Sequence, residues 1–73
     1  MAEVTDALRV AVAQPATAFG GVRANVAAHR DAVAAAGARL VVFPELSLTG
    51  YDLAAPDVDP TGDELAPLVA ACR

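Results

Sequence analysis

The sequence predicts an α/β fold that opens with a βαβ unit, and three observations predict it. Two short apolar runs, Leu8 to Ala13 and Leu40 to Phe43, each run up to a proline. Between them, Val22 to Ala36 carries Val22, Val26 and Val33 with interleaved alanines along one helical face, while Arg23, Arg30 and Asp31 fall elsewhere. Gly37 then stands where helices commonly end in a left-handed residue. Strand, helix and strand in this order form a right-handed unit with the two strands parallel.

The first run is interrupted only by Arg9 and closes at Gln14-Pro15, because Pro15 has no backbone N–H to continue a ladder. Thr17 to Gly21 is a loop of small residues. Gly20-Gly21 lacks both the Gly-x-Gly-x-x-Gly spacing and the following Lys-Ser/Thr of phosphate-cradling loops, so the pair reads as backbone punctuation. The second run, Leu40-Val41-Val42-Phe43, is continuously apolar and reads as a short strand buried on both faces, as in parallel sheets. Glu45 follows at once, where ligands sit in open α/β sheets, beyond the carboxyl ends of the strands. Gly50 is expected to take a positive φ and turn the chain back across those ends. Beyond Tyr51, prolines and aspartates give a loop up to Pro60. Thr61-Gly62-Asp63-Glu64 matches a capping box that starts a second helix running to Arg73. Pro67 falls beyond the first turn of that helix and predicts a kink or a later start.

The block Phe43-Pro44-Glu45 with Leu48-Thr49-Gly50-Tyr51 resembles the first catalytic motif of the nitrilase, or carbon-nitrogen hydrolase, superfamily. Val10-Ala11-Val12-Ala13-Gln14-Pro15 resembles that family's first strand, and Asn25 with Ala36-Gly37-Ala38 its first helix and the turn after it. The likeness covers residues 8 to 52. It implies an α-β-β-α sandwich, incomplete in this chain, with residues 1–73 as the N-terminal fragment of the hydrolase domain. It also implies hydrolysis of non-peptide carbon-nitrogen bonds in a small-molecule amide or nitrile by a Glu, a Lys and a Cys. Glu45 takes the place of the general base. No metal or organic cofactor is implied, and the complete enzyme is expected to form homo-oligomers.

The other two catalytic groups have no counterpart. All five basic residues are arginines, namely Arg9, Arg23, Arg30, Arg39 and Arg73. The single cysteine, Cys72, follows Glu45 too closely and lacks the strand-Cys-acid setting of the family's nucleophile. The 73 residues alone are therefore expected to be inactive. The chemistry explains why isolation of the glutamate matters: an unperturbed thiol ionises near pH 8.5 and an unperturbed Glu near 4.3, so proton transfer between them runs uphill by about 6 kcal/mol. Partial burial beside a lysine is the arrangement that retunes both groups.

Tyr51 reads either as a pocket wall or as a ring packed at the sheet edge with its hydroxyl hydrogen-bonded. Asn25 is placed to tie the preceding loop to the helix start, with an ordinary surface position as the competing reading. His29, without a second ligand at metal spacing, reads as a surface residue. Cys72, on an alanine-rich helix, reads as a small buried hydrophobe.

Composition narrows the remaining classes. The net charge of −4 and the scattered arginines exclude the clustered basic face of a nucleic-acid binder. Residues 52 to 64 concentrate acid without the alternating ligands of a calcium loop and read as solvated surface. One cysteine cannot form an intrachain disulfide, the acidic Met1 to Asp6 is unlike a secretory signal, and no stretch approaches a membrane span. A cytoplasmic protein is expected. The apolar fraction of 56% is carried mainly by alanine, which buries little area, so the core is expected to be marginal. One sheet face, either that of Leu8, Val10 and Val12 or its opposite, should be left bare. Three large aliphatic side chains left in water forfeit about 5–9 kcal/mol, comparable to the stability of a small domain. Partial unfolding or self-association is the expectation for the isolated chain. The alternative to a hydrolase fragment is a non-catalytic interaction module that docks through that face. Half of a flavodoxin-like domain is disfavoured because no phosphate-cradling loop follows the first strand.

Overall fold

The computed structural model describes residues 7–73, so the reading of Met1 to Asp6 lies outside the described residues. β1 (Val10–Val12) and β2 (Leu40–Val42) form a two-stranded parallel sheet, with Val10 opposite Leu40, Ala11 opposite Val41 and Val12 opposite Val42. Hydrogen bonds carry the pairing beyond the regular strands: Ala13 N donates to Val42 O at 2.9 Å and Arg39 N to Arg9 O at 3.1 Å. The paired stretch thus nearly fills the first apolar run.

The crossover is α1 (Val22–Ala36), with the bounds that its periodicity and flanking glycines predict. Gly37 closes it at φ 60° and ψ 29°, a conformation that strains any residue with a Cβ. Arg9 Nη1 donates to Gly37 O at 3.4 Å and links this end of the helix to β1. At the other end Gly21 is the N-cap and offers no side chain.

Period-two alternation puts Val10, Val12, Leu40 and Val42 on one face of the sheet, and they are 49%, 81%, 48% and 44% exposed. The bare face is thus the one that Leu8, also exposed, extends. Ala11 and Val41 point the other way and are partly covered, and Phe43, continuing their face, lies against His29 of α1. The expectation that Leu40 to Phe43 is buried on both faces is therefore corrected. A single helix layer covers one face, and among the described residues nothing packs on the other.

After Glu45 comes a 3₁₀ turn at Ser47–Thr49, then a loop, a second 3₁₀ turn at Asp63–Leu65, and α2 (Ala66–Ala71), which lies beside α1. The capping box does not form. Thr61 instead turns back to Asp59, its amide and hydroxyl donating to Asp59 Oδ1 at 2.9 and 2.8 Å, and Gly62 is the N-cap of the second 3₁₀ turn. Starting α2 at Ala66 brings Pro67 into the first turn, where its missing N–H leaves no helical bond unmade. Of the two outcomes that Pro67 allows, the later start is the one found. No helix among the described residues is long and apolar enough to cross a membrane.

The packed centre lies where α1 meets the turn after β2, and it is unusually polar. Val26 is the buried hydrophobic residue there, at 1% exposure, in company with Asn25 at 1%, His29 at 3% and Ser47 at 4%. An alanine-rich helix has little aliphatic bulk to offer, so hydrogen bonds supply much of the cohesion at this junction.

Candidate functional site

Glu45 is exposed and lies beyond the carboxyl end of β2, the position that the sequence predicts. Among the described residues its carboxylate takes no hydrogen bond, so the backbone on either side fixes only the point from which the side chain projects. That backbone is tightly constrained. Leu46 at φ 62°, Gly50 at φ 64° and Tyr51 at φ 68° are all left-handed, and the first and last carry side chains. Each such non-glycine residue costs about 1–2 kcal/mol, so the segment holds its shape only because other bonds over-determine it.

Those bonds are local and tertiary. Ser47 N donates to Pro44 O at 3.2 Å, Gly50 N to Ser47 O at 3.1 Å and Tyr51 N to Leu46 O at 3.0 Å, closing a compact loop over residues 44–51. Thr49 Oγ1 adds a bond to Leu46 O at 3.2 Å. The loop then meets the segment between β1 and α1, where Gly20 N donates to Thr49 O at 2.9 Å. Gly50 has the positive φ expected of it and a second constraint besides, because a Cβ there would run into the backbone of Ala18 and Phe19.

Asn25 clamps both loops to the first turn of α1. Its Oδ1 accepts from Ala18 N at 2.7 Å, and its Nδ2 donates to Ala18 O at 2.8 Å and Leu48 O at 3.0 Å. Both amide hydrogens are used, so the orientation of the side chain follows from its partners. This is the tie from loop to helix start that the sequence allows, made from a buried position.

His29 is not a surface residue, and that expectation is corrected. Its Nδ1 lies 2.6 Å from Asn25 O and its Nε2 2.8 Å from Ser47 Oγ, and the ring stacks at a tilt on Phe43 with centroids 4.3 Å apart. The Asn25 carbonyl can only accept, so Nδ1 carries the proton and donates. In the neutral ring Nε2 then accepts from the Ser47 hydroxyl. The sequence motifs point to neither His29 nor Ser47 as a site residue. The available signal is spacing: Val22, Val26, His29 and Val33 share one stripe of α1, so a polar residue on the buried stripe required a partner.

The other candidates lie apart from Glu45. Cys72 is exposed, against the expectation of a buried thiol, and lines a cleft of about 290 Å³ with Val33, Phe43 and Leu68. Glu45 is not among the walls of that cleft. Tyr51 is 46% exposed and its hydroxyl has no hydrogen-bond partner among the described residues, so an anchored hydroxyl is not found. No group of three or more potential metal ligands comes together among the described residues. What the arrangement offers chemically is one carboxylate, open to solvent, on a rigid loop at the end of a parallel strand.

Comparison with known proteins gives a single finding that bears on this geometry. The family model described as carbon-nitrogen hydrolase matches residues 9–73, from β1 to the last residue. No curated protein and no solved structure matches the chain. The match spans most of the 73 residues and includes the strand, clamp and turn that present Glu45, and on that ground the chain belongs to the carbon-nitrogen hydrolase family.

Proposed function

We propose that residues 1–73 form the glutamate-bearing part of an amidase-type hydrolase that cleaves non-peptide carbon-nitrogen bonds. The observation that carries this reading is the position of Glu45, an exposed carboxylate just past β2 within the matched segment. Glu45 serves as general base and acid. With an amide it takes the proton from a cysteine thiol, the thiolate attacks the carbonyl carbon, and a lysine stabilises the developing negative charge. The proton then passes to the departing ammonia or amine. A nitrile gives a thioimidate instead, which takes up one further water before ammonia leaves and the same thioester is reached. Water, giving its proton to Glu45, cleaves the thioester to the acid and restores the thiol. The lysine and the nucleophilic cysteine come from outside these 73 residues, since the sequence has no lysine and Cys72 lines a cleft of which Glu45 is not a wall. Alone, the 73 residues are inactive. The sandwich architecture, homo-oligomeric assembly and cytoplasmic location belong to the same proposal.

The test uses the native species that contains this sequence, isolated from its source cells and assayed for ammonia release from amides, nitriles and N-carbamoyl compounds. Glu45→Gln removes the base while keeping size and shape. The expected loss is about 10²–10⁴-fold in kcat. Unchanged ammonia release in Glu45→Gln would refute the assignment.

A second reading rests on the bare aliphatic face of Val10, Val12, Leu40 and Val42, which suits an interaction module without catalysis. A stable native species of only 73 residues that binds a partner and releases no ammonia would favour it.

A further inference from the structure

We infer that Asn25, His29 and Ser47 are positioning residues for the Glu45 carboxylate, acting through the turn that follows it. The inference rests on the proposed role of Glu45 as the base. Glu45 has no hydrogen bond of its own among the described residues, yet its chain neighbours are held at two points by buried groups of α1. Ser47, two residues on, bonds His29 Nε2 through its hydroxyl at 2.8 Å, and Leu48 O accepts from Asn25 Nδ2 at 3.0 Å. His29 is itself fixed by the bond of Nδ1 to Asn25 O and by the Phe43 ring, two residues before Glu45. The cluster therefore grips the chain at Phe43 and again at Ser47 and Leu48. Between these grips lie only Pro44, Glu45 and Leu46, of which Pro44 and Leu46 accept bonds from the turn and Leu46 has a left-handed conformation.

This arrangement suits a base that must meet a thiol at hydrogen-bond distance, because a displacement near 1 Å in reacting groups costs about 10²-fold in rate. A long exposed side chain cannot be held to that tolerance by solvent. Its Cα has to be fixed by the chain on either side, and the buried polar groups of α1 hold that chain at Phe43, Ser47 and Leu48. A polar cluster serves this purpose better than an aliphatic one, since each bond sets a direction as well as a distance.

The native hydrolase that tests Glu45 also tests the cluster. Ser47→Ala deletes one hydroxyl and little volume. It is expected to lower kcat by about 10- to 100-fold while KM moves less than about twofold. In a Glu45→Asp background the same substitution should add less than about twofold, because the carboxylate it positions is already displaced. At His29 the amide of glutamine reaches the place of Nε2 and can bond Ser47, whereas that of asparagine reaches only the place of Nδ1. His29→Gln should keep activity within about threefold of the parent and His29→Asn should fall as Ser47→Ala does. This pair decides the matter if Ser47→Ala does not fold.

A folded Ser47→Ala enzyme with unchanged kcat, an equal fold-loss in the two Glu45 backgrounds, or equal activity of the Gln and Asn variants at His29 would each overturn the positioning role. Full activity of Glu45→Gln overturns the functional reading instead. An inactive Glu45→Gln beside a silent Ser47→Ala overturns the positioning role alone.

Discussion

Replacing Gly50 by alanine should destabilise the fold far more than replacing Gly37, although the two glycines have nearly the same backbone conformation. Gly37 sits at φ 60° and Gly50 at φ 64°, so both alanines incur the left-handed penalty of about 1–2 kcal/mol. At Gly37 a Cβ has nothing within 4 Å, and the penalty ends there. At Gly50 it falls well inside 3.0 Å of Ala18 O, 2.5 Å from Ala18 C and 2.9 Å from Phe19 Cα, all of them backbone atoms. The peptide after Ala18 has to retreat, and that peptide is held by Asn25 and lies beside the Gly20–Thr49 bond. Leaving the buried Asn25 amide short of a partner costs about 1–3 kcal/mol, and the loss of the Gly20 bond about 0.5–1.5 kcal/mol. Gly50→Ala should thus cost about 3–6 kcal/mol against about 1–2 for Gly37→Ala. A typical domain of this length has about 4–11 kcal/mol in total, and a chain with one sheet face bare has less, so the first variant approaches complete unfolding. Urea titrations followed by the helical ellipticity of α1, in trimethylamine oxide to favour the compact state, read the difference directly. Equal midpoints for the two variants would refute the claim that the two loops interlock at Gly50.

The bare sheet face predicts that the 73-residue chain self-associates, and that Val12→Lys suppresses this. Val12 is 81% exposed, so the substitution forfeits little burial while placing a charge on the face; sedimentation velocity reads the outcome, and a monomeric, cooperative melt of the unsubstituted chain would contradict it. A pH effect is expected at Asp59, where the amide and then the hydroxyl of Thr61 donate to the carboxylate and hold its ionisation below the ordinary value of 3.8. Because the folded value is the lower one, the stabilisation is complete above about pH 3.8 and is lost as pH falls through the folded value. Carboxyl NMR shifts followed from about pH 5 to pH 2 check this, and an Asp59 titration at or above 3.8 counts against the turn at residues 59–61.

Most of what positions Glu45 was legible because it depends on local patterns. The bounds of α1 followed from valine spacing and from Gly37, and the parallel pairing from the order of elements with a helix between the strands. The start of α2 was less legible. Thr61 had two acceptor-donor arrangements within reach, a cap on the helix or a turn back to Asp59, and the motif alone does not rank them. Pro67 was the better guide, because its missing N–H restricts where a helix can start whatever the side chains do. His29 was misplaced for a different reason. Its type suggested solvent, while its position in the stripe with Val26 and Val33 suggested burial, and only the arrival of Ser47 from across the fold satisfies both.

The misreading of β2 carries the most information about function. Continuous Leu40-Val41-Val42 is the pattern of a strand covered on both faces, yet Leu40 and Val42 remain nearly half exposed while Val41 is partly covered. The pattern therefore describes an environment that the described residues supply on one side only. The same logic applies to Glu45. The carboxylate stands in open solvent with no hydrogen bond among the described residues, but the loop beneath it is held by two strained non-glycine residues and a buried polar cluster. Rigid support under an unpartnered group makes physical sense if the partner arrives from elsewhere and must find the carboxylate already in place. On the function proposed above, the exposed aliphatic face and the isolated carboxylate point the same way: the cover for Val10, Val12, Leu40 and Val42 and the lysine and thiol for Glu45 should come from one assembly. A preparation that buries the face but gains no ammonia release would separate the two.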